Sequence, residues 1–382
     1  MCRCTLITMM HMTLLVPMQN KPTIVIAALS SRPYAKAAVE AGFDVIAIDA
    51  FVDQDTQAMA KQTIQVSCLQ QQFDAQAMLD AIDTIPHASV LGFCFGAGFE
   101  AQPELLKQVQ QRIPLFGNSA STVAHCKDPN AFAQFCQQHH FAMPMIAHEA
   151  PAELTGWLIK SAGGSGGAHI HYADGYALPL APNQYFQRFQ SGISISCLFL
   201  ASGGDVHMVG VNEQWLATDT PLPFQYGGAV SHLELEANTL EALTRFITLA
   251  TTHFHLKGLN SVDALLDNTE LYFLEINPRL SATIDLYATE KVGLFASHVD
   301  AFQSQCASVL KITHQPKAHH VVYAKQITHI QAQQVWPEWV SDIPSTSQTF
   351  DIGMPICTVV SVADSVQAAK QLVQARAVCL TQ

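Results

Sequence analysis

Residues 262–279 read VDALLDNTELYFLEINPR and set Asp263 twelve positions before Glu275, with Asn277 two positions further on and Arg279 two beyond that. A hairpin turning at Thr269 brings Asp263 across from Glu275. Strand alternation then puts Glu275 and Asn277 on one face. Two carboxylates and an amide oxygen would converge there. Such a donor set is hard and all-oxygen, suited to magnesium or manganese, which take one or two protein carboxylates and complete their shell with phosphate oxygens. Arg279, past the strand end, can clamp a phosphate or carboxylate through two parallel N–H bonds. The flanking Leu265, Leu266, Tyr272, Phe273, Leu274 and Ile276 are apolar on both faces, so the hairpin reads as buried, and buried carboxylates call for a cation.

Two other segments offer positive charge. Lys160 ends a β-like run and opens the stretch Ser161-Ala162-Gly163-Gly164-Ser165-Gly166-Gly167. Glycines let a loop fold over phosphates with its N–H groups turned inward, although no Lys-Ser/Thr follows them as a Walker A loop would require. By composition alone, the same run serves equally as a flexible surface hairpin. Lys127, in His125-Cys126-Lys127-Asp128-Pro129, stands just before a helical stretch and taken singly is an ordinary surface lysine.

The elements that must position these residues follow from periodicity. Residues 23–29 form a short apolar strand, 33–41 a helix introduced by Ser31 and stopped by Gly42, and 43–49 a second strand, with further helical spacing at 75–82 and a strand at 89–95. This is the opening of a parallel, doubly wound αβ unit, without a G-x-G-x-x-G after its first strand. Residues 118–141 turn helical, 157–160 and 168–171 flank the glycine run as strands, and β-like runs recur at 185–189, 193–201 and 206–211. Helical spacing marks 240–253. The C-terminal part holds β-like runs at 321–325 and 355–362 and a final helix over 365–378. No internal repeat is present.

Composition narrows the function. Of 382 residues, 49% are hydrophobic and 13% charged, a composition with ample core and no disorder signature. The net charge of −12 repels a nucleic-acid backbone. The 10 Cys contain no C-x-x-C, and they read as reduced cytosolic thiols. The 17 His show no zinc spacing, and His139–His140 and His319–His320 read as surface or loop residues. The apolar, Met-rich first residues, which include Cys2 and Cys4, lack the basic start and cleavage site of a signal peptide, and no run is long enough to span a bilayer. The expectation is a cytoplasmic protein without membrane or nucleic-acid partners.

In their order along the chain, Lys127, Lys160 with its glycine loop, and the acidic pair ending in Glu275-Ile276-Asn277-Pro278-Arg279 resemble the ATP-grasp superfamily over about residues 22–315. The resemblance implies an α/β chain, α+β overall, with a flexible extension (1–21), an N-terminal doubly wound αβ domain (22–118), a lid (119–192), an antiparallel-sheet metal and catalytic subdomain (193–315) and a small β-rich C-terminal appendage (316–382). It implies that Lys127 and Lys160 contact ATP phosphates under a lid of Gly163, Gly164, Ser165, Gly166 and Gly167. Asp263, Glu275 and Asn277 would bind Mg2+ or Mn2+, and Arg279 and Lys160 would act in catalysis. The adenine hinge would fall at Gln187, Phe189 and Gln190, where many members carry an acidic residue for the ribose and this chain has glutamines. SSRPYAKAAVEAGFDVIAIDAFVDQDT, GFCFGAGFEAQPELL and GMPICTV resemble the ATP-grasp proteins of tetrahydromethanopterin- and methanofuran-type cofactor synthesis in methylotrophic bacteria, which look like tyramine–glutamate ligases. The implied activity is amide formation between a small carboxylate and an amine; a phosphotransferase, a carboxylase or a non-catalytic nucleotide-binding protein are the alternatives. Ser31, Arg32, Gly96, Gly98, Glu100, Ser281 and Thr283 are the candidate substrate contacts, though Ser31 would equally serve as a helix N-cap and Gly96 and Gly98 as a strand-to-helix turn. A homodimer is implied by the superfamily alone.

Overall fold

The computed structural model describes residues 21–218, 220–290, 293–303 and 310–380. The extension expected over 1–21, with Cys2 and Cys4, lies outside these except for Lys21.

Strand β1 (Thr23–Ala28) is built from β-branched and small apolar residues buried on both faces, as a central parallel strand requires. It pairs in parallel with β2 (Asp44–Asp49), which continues to β3 (Gln62–Gln65), and on its other side with β4 (Val90–Phe95). The order β3-β2-β1-β4 reverses between β1 and β4, and this switch point opens a crevice beyond the carboxyl ends of those two strands. Helix α1 (Arg32–Glu40) takes Pro33 in its first turn and stops before Gly42, whose φ of +91° suits glycine. Ser31 does not cap it. The Ser31 hydroxyl and amide both donate to Asp49 instead, each at 2.6 Å.

Two helices lead out of this unit. Helix α2 (Ala120–Lys127) is capped by Ser119, whose hydroxyl accepts from the Thr122 amide. Helix α3 (Pro129–His139) is capped by Asp128, which accepts from the Asn130 amide. Lys127 is therefore held at the joint between two capped helices. A small antiparallel sheet follows, formed by β5 (Ile146–Ala147), β6 (Trp157–Ser161), β7 (Ile170–Tyr172) and β8 (Gln184–Arg188) in the order β5-β8-β6-β7. The glycine run joins β6 to β7.

Eight further strands make one large sheet: β9 (Ile193–Ser202), β10 (Asp205–Leu216), β11 (Tyr226–Val230), β12 (Gly258–Asp267), β13 (Glu270–Asn277), β14 (Lys317–Tyr323), β15 (Val340–Ser341) and β16 (Pro355–Val362). Its order is β13-β12-β9-β10-β11-β14-β16-β15, so three C-terminal strands extend this sheet across β11, while Thr328–Ile330 and Gln348–Phe350 pair in a two-stranded sheet of their own. One face packs on α2, α3 and α4 (Ala237–Phe254), with the Phe246 and Phe273 rings stacked at 3.7 Å between centroids. Part of the other face meets α1, the parallel unit and α5 (Leu294–Phe302). Helix α6 (Val366–Leu380) covers β14 and β16.

Candidate active site

The hairpin forms as its sequence predicts, with a turn at Asn268-Thr269 and Asp263 paired with Glu275. The register slips beside that pair, because Ala264 pairs with Phe273 and leaves Leu274 as an extra residue. Simple alternation would put Phe273 on the same face as Glu275 and Asn277. The bulge reverses the parity, so Leu271, Phe273 and Ile276 all enter the core while Glu275 and Asn277 face the cleft.

The predicted lysine meets this face. Lys127 Nζ donates to Glu275 Oε2 at 3.0 Å and to Asn277 Oδ1 at 2.8 Å, and Asn277 Nδ2 donates to Asp263 Oδ2 at 2.8 Å. Burial would raise the Glu275 pKa, but Lys127 and Lys160 pull it down to about 2. Burial and the neighbouring Glu275 charge push Asp263 up to about 6. The pair is thus set apart electrostatically: Glu275 stays ionised on the lysine side, and Asp263 lacks a full counter-charge. A carboxylate and an amide oxygen that already hold an ammonium, with a second carboxylate bonded to the same amide, are a donor set that fits a divalent cation. No cluster of three or more His, Cys, Asp or Glu residues with metal-binding geometry occurs among the described residues, so phosphate or water oxygens would have to complete the shell.

Lys160, at the end of β6, is buried and stays charged: burial disfavours the cation, but Tyr185, Glu275 and Asp263 outweigh it. Lys127, Lys160, Gly163, His169, Tyr185, Gln187, Leu274 and Glu275 line one cleft, and the space beside it, about 370 Å³ bordered by Glu100, Lys127, Gly163 and Tyr185, is large enough for a small ligand. Of the predicted hinge, Gln187 is buried in the cleft wall. Phe189 and Gln190 are not among the cleft residues; Phe189 is exposed, and Gln190 Nε2 donates to the Ser191 carbonyl.

The glycine loop is folded inward. A Cβ at Gly163 would lie 2.8 Å from the Glu100 carbonyl, one at Gly164 2.1 Å from the His169 ring, and one at Gly167, where φ is +79°, 1.8 Å from the Phe224 carbonyl. Ser165 Oγ donates to Gln71 in the parallel unit, and the Tyr226 amide donates to the Gly166 carbonyl at 3.0 Å. The loop therefore bridges the parallel unit and the start of β11.

Arg279 Nε donates to Glu100 Oε1 at 2.8 Å, and Glu100 also accepts from the Gly98 and Phe99 amides. Burial would raise the Glu100 pKa, and Arg279 and Lys127 reverse that, holding it below the usual value. Two residues expected to touch substrate thus orient one another. Gly96 has no room for a side chain beside Tyr34, and Gly98 has a φ of +117°. Ser281 and Thr283 are buried and bonded to each other at 2.9 Å. Arg32 is committed elsewhere, to Asp342 at 2.8 Å and Asp285 at 2.9 Å.

Sequence reasoning missed three further side chains, of which His169 lines this cleft. His169 follows the glycine run and leaves Nδ1 buried without a partner. Tyr226 begins β11, a stretch to which the sequence reading assigns no element. His319 is neither on the surface nor in a loop: it lies in β14, buried, and its Nε2 is 2.6 Å from the Tyr226 hydroxyl. Its neighbour His320, also in β14, accepts from Trp215 Nε1 at 2.8 Å.

Residues 126–283 match a family model described as an ATP-grasp domain, a span that contains Lys127, Lys160, the glycine loop, the hairpin and Arg279. Among solved structures, the L-amino acid ligase of Bacillus licheniformis aligns with a TM-score of 0.67 at 13% identity, covering 93% of this chain and 97% of that one. The biotin carboxylase of Campylobacter jejuni, solved with an ATP analogue, aligns with a TM-score of 0.67 at 15% identity over 92% and 90%. The biotin carboxylase domain of the Hydrogenobacter thermophilus 2-oxoglutarate carboxylase, a dimer solved with MgADP and bicarbonate, gives 0.66 at 11% identity over 93% and 89%. No curated protein sequence matches significantly. The chain has the ATP-grasp fold from end to end of these alignments.

Proposed function

We propose that this chain is an ATP-dependent carboxylate–amine ligase that forms an amide through an acyl phosphate. The observation that carries this reading is the meeting of Lys127, Lys160, Asp263, Glu275, Asn277 and Arg279 around one cleft, covered by a glycine loop and opening toward the crevice of the parallel unit. The likeness to an L-amino acid ligase supports it. A substrate carboxylate oxygen attacks the γ-phosphorus, the bond to the β-phosphate oxygen breaks, and ADP leaves with that electron pair. An amine then attacks the acyl carbon, and inorganic phosphate departs.

The protein's share of this chemistry is positioning and charge. Lys127 and Lys160 hold phosphate oxygens. Asp263, Glu275 and Asn277 would hold Mg2+ or Mn2+, which when bound supplies further positive charge to those oxygens. Arg279, aimed by Glu100, faces the carboxylate, and the inward-folded loop keeps water from the acyl phosphate. The substrate cleft lies between the parallel unit and the hairpin, so the division of the chain near residues 118, 192 and 315 is part of the same reading, as are a cytoplasmic location and a homodimer. The seven described cysteines are free thiols, and no described helix is long and apolar enough to cross a membrane.

The three resembling segments extend the reading to methanofuran- or tetrahydromethanopterin-type cofactor synthesis. Purified protein with ATP and Mg2+ should release ADP only when a carboxylate and an amine are both present, most strongly for L-glutamate with an aromatic amine such as tyramine. ADP release with bicarbonate alone, or a stable phosphorylated product, would replace the ligase by a carboxylase or a kinase.

A further inference from the structure

An acyl phosphate survives only while water is kept from it, so the glycine lid must stay shut until the amine has reacted. Some of the lid's holds on the rest of the molecule are made by backbone. Gly163 rests against the backbone of Glu100 and Ala101, and the Gly166 carbonyl accepts from the Tyr226 amide. A different kind of hold is made by Ser165, whose hydroxyl donates to Gln71 Oε1 at 3.1 Å across 94 positions of sequence. The Gln71 amide nitrogen also lies over the next residue of the lid, where a Cβ at Gly166 would be 3.3 Å from it.

Gln71 stands at the tip of a small hairpin whose two strands, Cys68–Leu69 and Gln72–Phe73, pair antiparallel. Gln70 and Gln71 both have left-handed backbones, with φ of +50° and +61°. That is the geometry of a tight two-residue turn, which suits glycine or asparagine better. Glycine would form this turn with less strain, but it could not reach the lid. The base of the hairpin is fixed to the parallel unit. The Gln102 side chain accepts from the Phe73 amide at 3.1 Å and donates to the Phe73 carbonyl at 2.9 Å. The Phe73 ring packs on Phe99, 5.4 Å between centroids, and a Cβ at Gly98 would lie 2.7 Å from it. The Gly98 and Phe99 amides hold Glu100, and Glu100 aims Arg279. One short segment, residues 98–102, thus seats the hairpin that holds the lid and carries the carboxylate that orients the arginine.

We infer that Gln71 is the latch of the glycine lid, and that the hairpin carrying it ties lid closure to the Glu100–Arg279 pair. This rests on the ligase reading above. Gln71 is a positioning residue that acts on the lid through Ser165. A neutral hydrogen bond shifts a closed-to-open ratio about fivefold. That is enough to favour closure and little enough to release at each turnover, when the loop must lift to admit ATP. With the latch in place, the acyl phosphate waits under a closed lid for the amine. Without it, water adds across the bond between the acyl carbon and the phosphate oxygen. The carboxylate and inorganic phosphate are returned, and ATP is consumed with no amide made.

The leak to water measures the latch. The full chain is assayed with ATP, Mg2+, excess hydroxylamine and each of the twenty amino acids as the acid. Hydroxylamine traps an acyl phosphate as hydroxamate. ADP in excess of hydroxamate and dipeptide is the leak. In Gln71→Ala and Gln71→Gly the leak should rise about fivefold, the worth of the lost hydrogen bond. Gln71→Gly should unfold at no lower a temperature than Gln71→Ala, because glycine accepts the left-handed turn. Ser165→Ala should leak as much, and the double variant with Gln71→Ala no more; leaks that multiply overturn the pairing. A leak unchanged in both Gln71 variants overturns the latch. A leak confined to Gln71→Ala overturns it too, because it would report a strained turn and not the missing side chain. In each of these cases hydroxamate from the wild type leaves the ligase reading standing. A wild-type protein that makes no hydroxamate from any of these acids refutes that reading, and the latch with it.

Discussion

Replacing Glu275 with Ala should lower magnesium-dependent ADP release by about 1,000-fold, about 4 kcal/mol of lost transition-state stabilisation, measured below the variant's unfolding transition. Glu275 is the carboxylate that Lys127 and Lys160 keep ionised, so it is the anion available to a cation on the phosphates at neutral pH. Its removal leaves Asp263, whose carboxyl burial pushes up to about 6, as the only acidic oxygen donor of the set. Asn277→Ala should act in the same direction, because Asn277 accepts from Lys127 and donates to Asp263 at the same time. Both variants should still fold, because Leu271, Phe273 and Ile276 hold the hairpin in the core, but Glu275→Ala should also lose stability, since it takes a counter-charge from buried Lys127 and Lys160. Turnover like wild type in both variants would remove these residues from the metal site.

The largest effect on stability is expected from Arg32→Met. The guanidinium, 6% exposed, ties α1 to Asp342 beside β15 and to Asp285 between β13 and β14. Breaking a buried pair by removing one partner costs about 3–5 kcal/mol because it strands the other charge. Asp285 would keep Lys317 at 3.2 Å and Lys36 at 3.5 Å, but Asp342 would be left among the described residues with the Ser30 hydroxyl and the company of Asp53 and Asp55. Urea unfolding measures the difference. Its pH dependence has a definite sign. Burial would raise the Asp285 pKa, yet Arg32, Lys317 and Lys36 bring it well below the ordinary aspartate value. A carboxyl with a depressed folded-state pKa stabilises fully above its unfolded value, near 4, and loses that contribution as pH falls. The gap between wild type and Arg32→Met should therefore be widest near neutrality and close in acid. A gap that widens in acid would contradict this account of the contact.

Local chemistry made the hairpin legible. Asp263, Glu275 and Asn277 could be placed together because a polar turn between two apolar runs sets a register, and Asp263 does pair with Glu275. The bulge at Leu274 could not be read, because strand alternation has no sign of an extra residue until the packing of Phe273 and Ile276 shows which face each takes. Tyr226-Gly227-Gly228 carries no strand signal for a similar reason. A Cβ at Gly228 would lie 2.3 Å from the His319 carbonyl, so the glycine there serves the close approach of β11 and β14 and does not mark a turn. His319 lay in a run too short and too polar to announce a buried strand. The Arg32–Asp342 contact spans 310 positions, a separation across which periodicity carries no information. Ser31 was assigned to the helix it precedes, whereas the structure gives it to Asp49 on the neighbouring strand.

The acyl phosphate is the centre of the functional account, and oxygen transfer tests it most directly. With the acid that supports ADP release labelled with 18O in its carboxylate, one 18O atom per turnover should appear in the inorganic phosphate, because the carboxylate oxygen that attacks the γ-phosphorus leaves with it. Phosphate that forms at the same rate and carries no label would show that the carboxylate never bonds to phosphorus, and the ligase mechanism would be wrong.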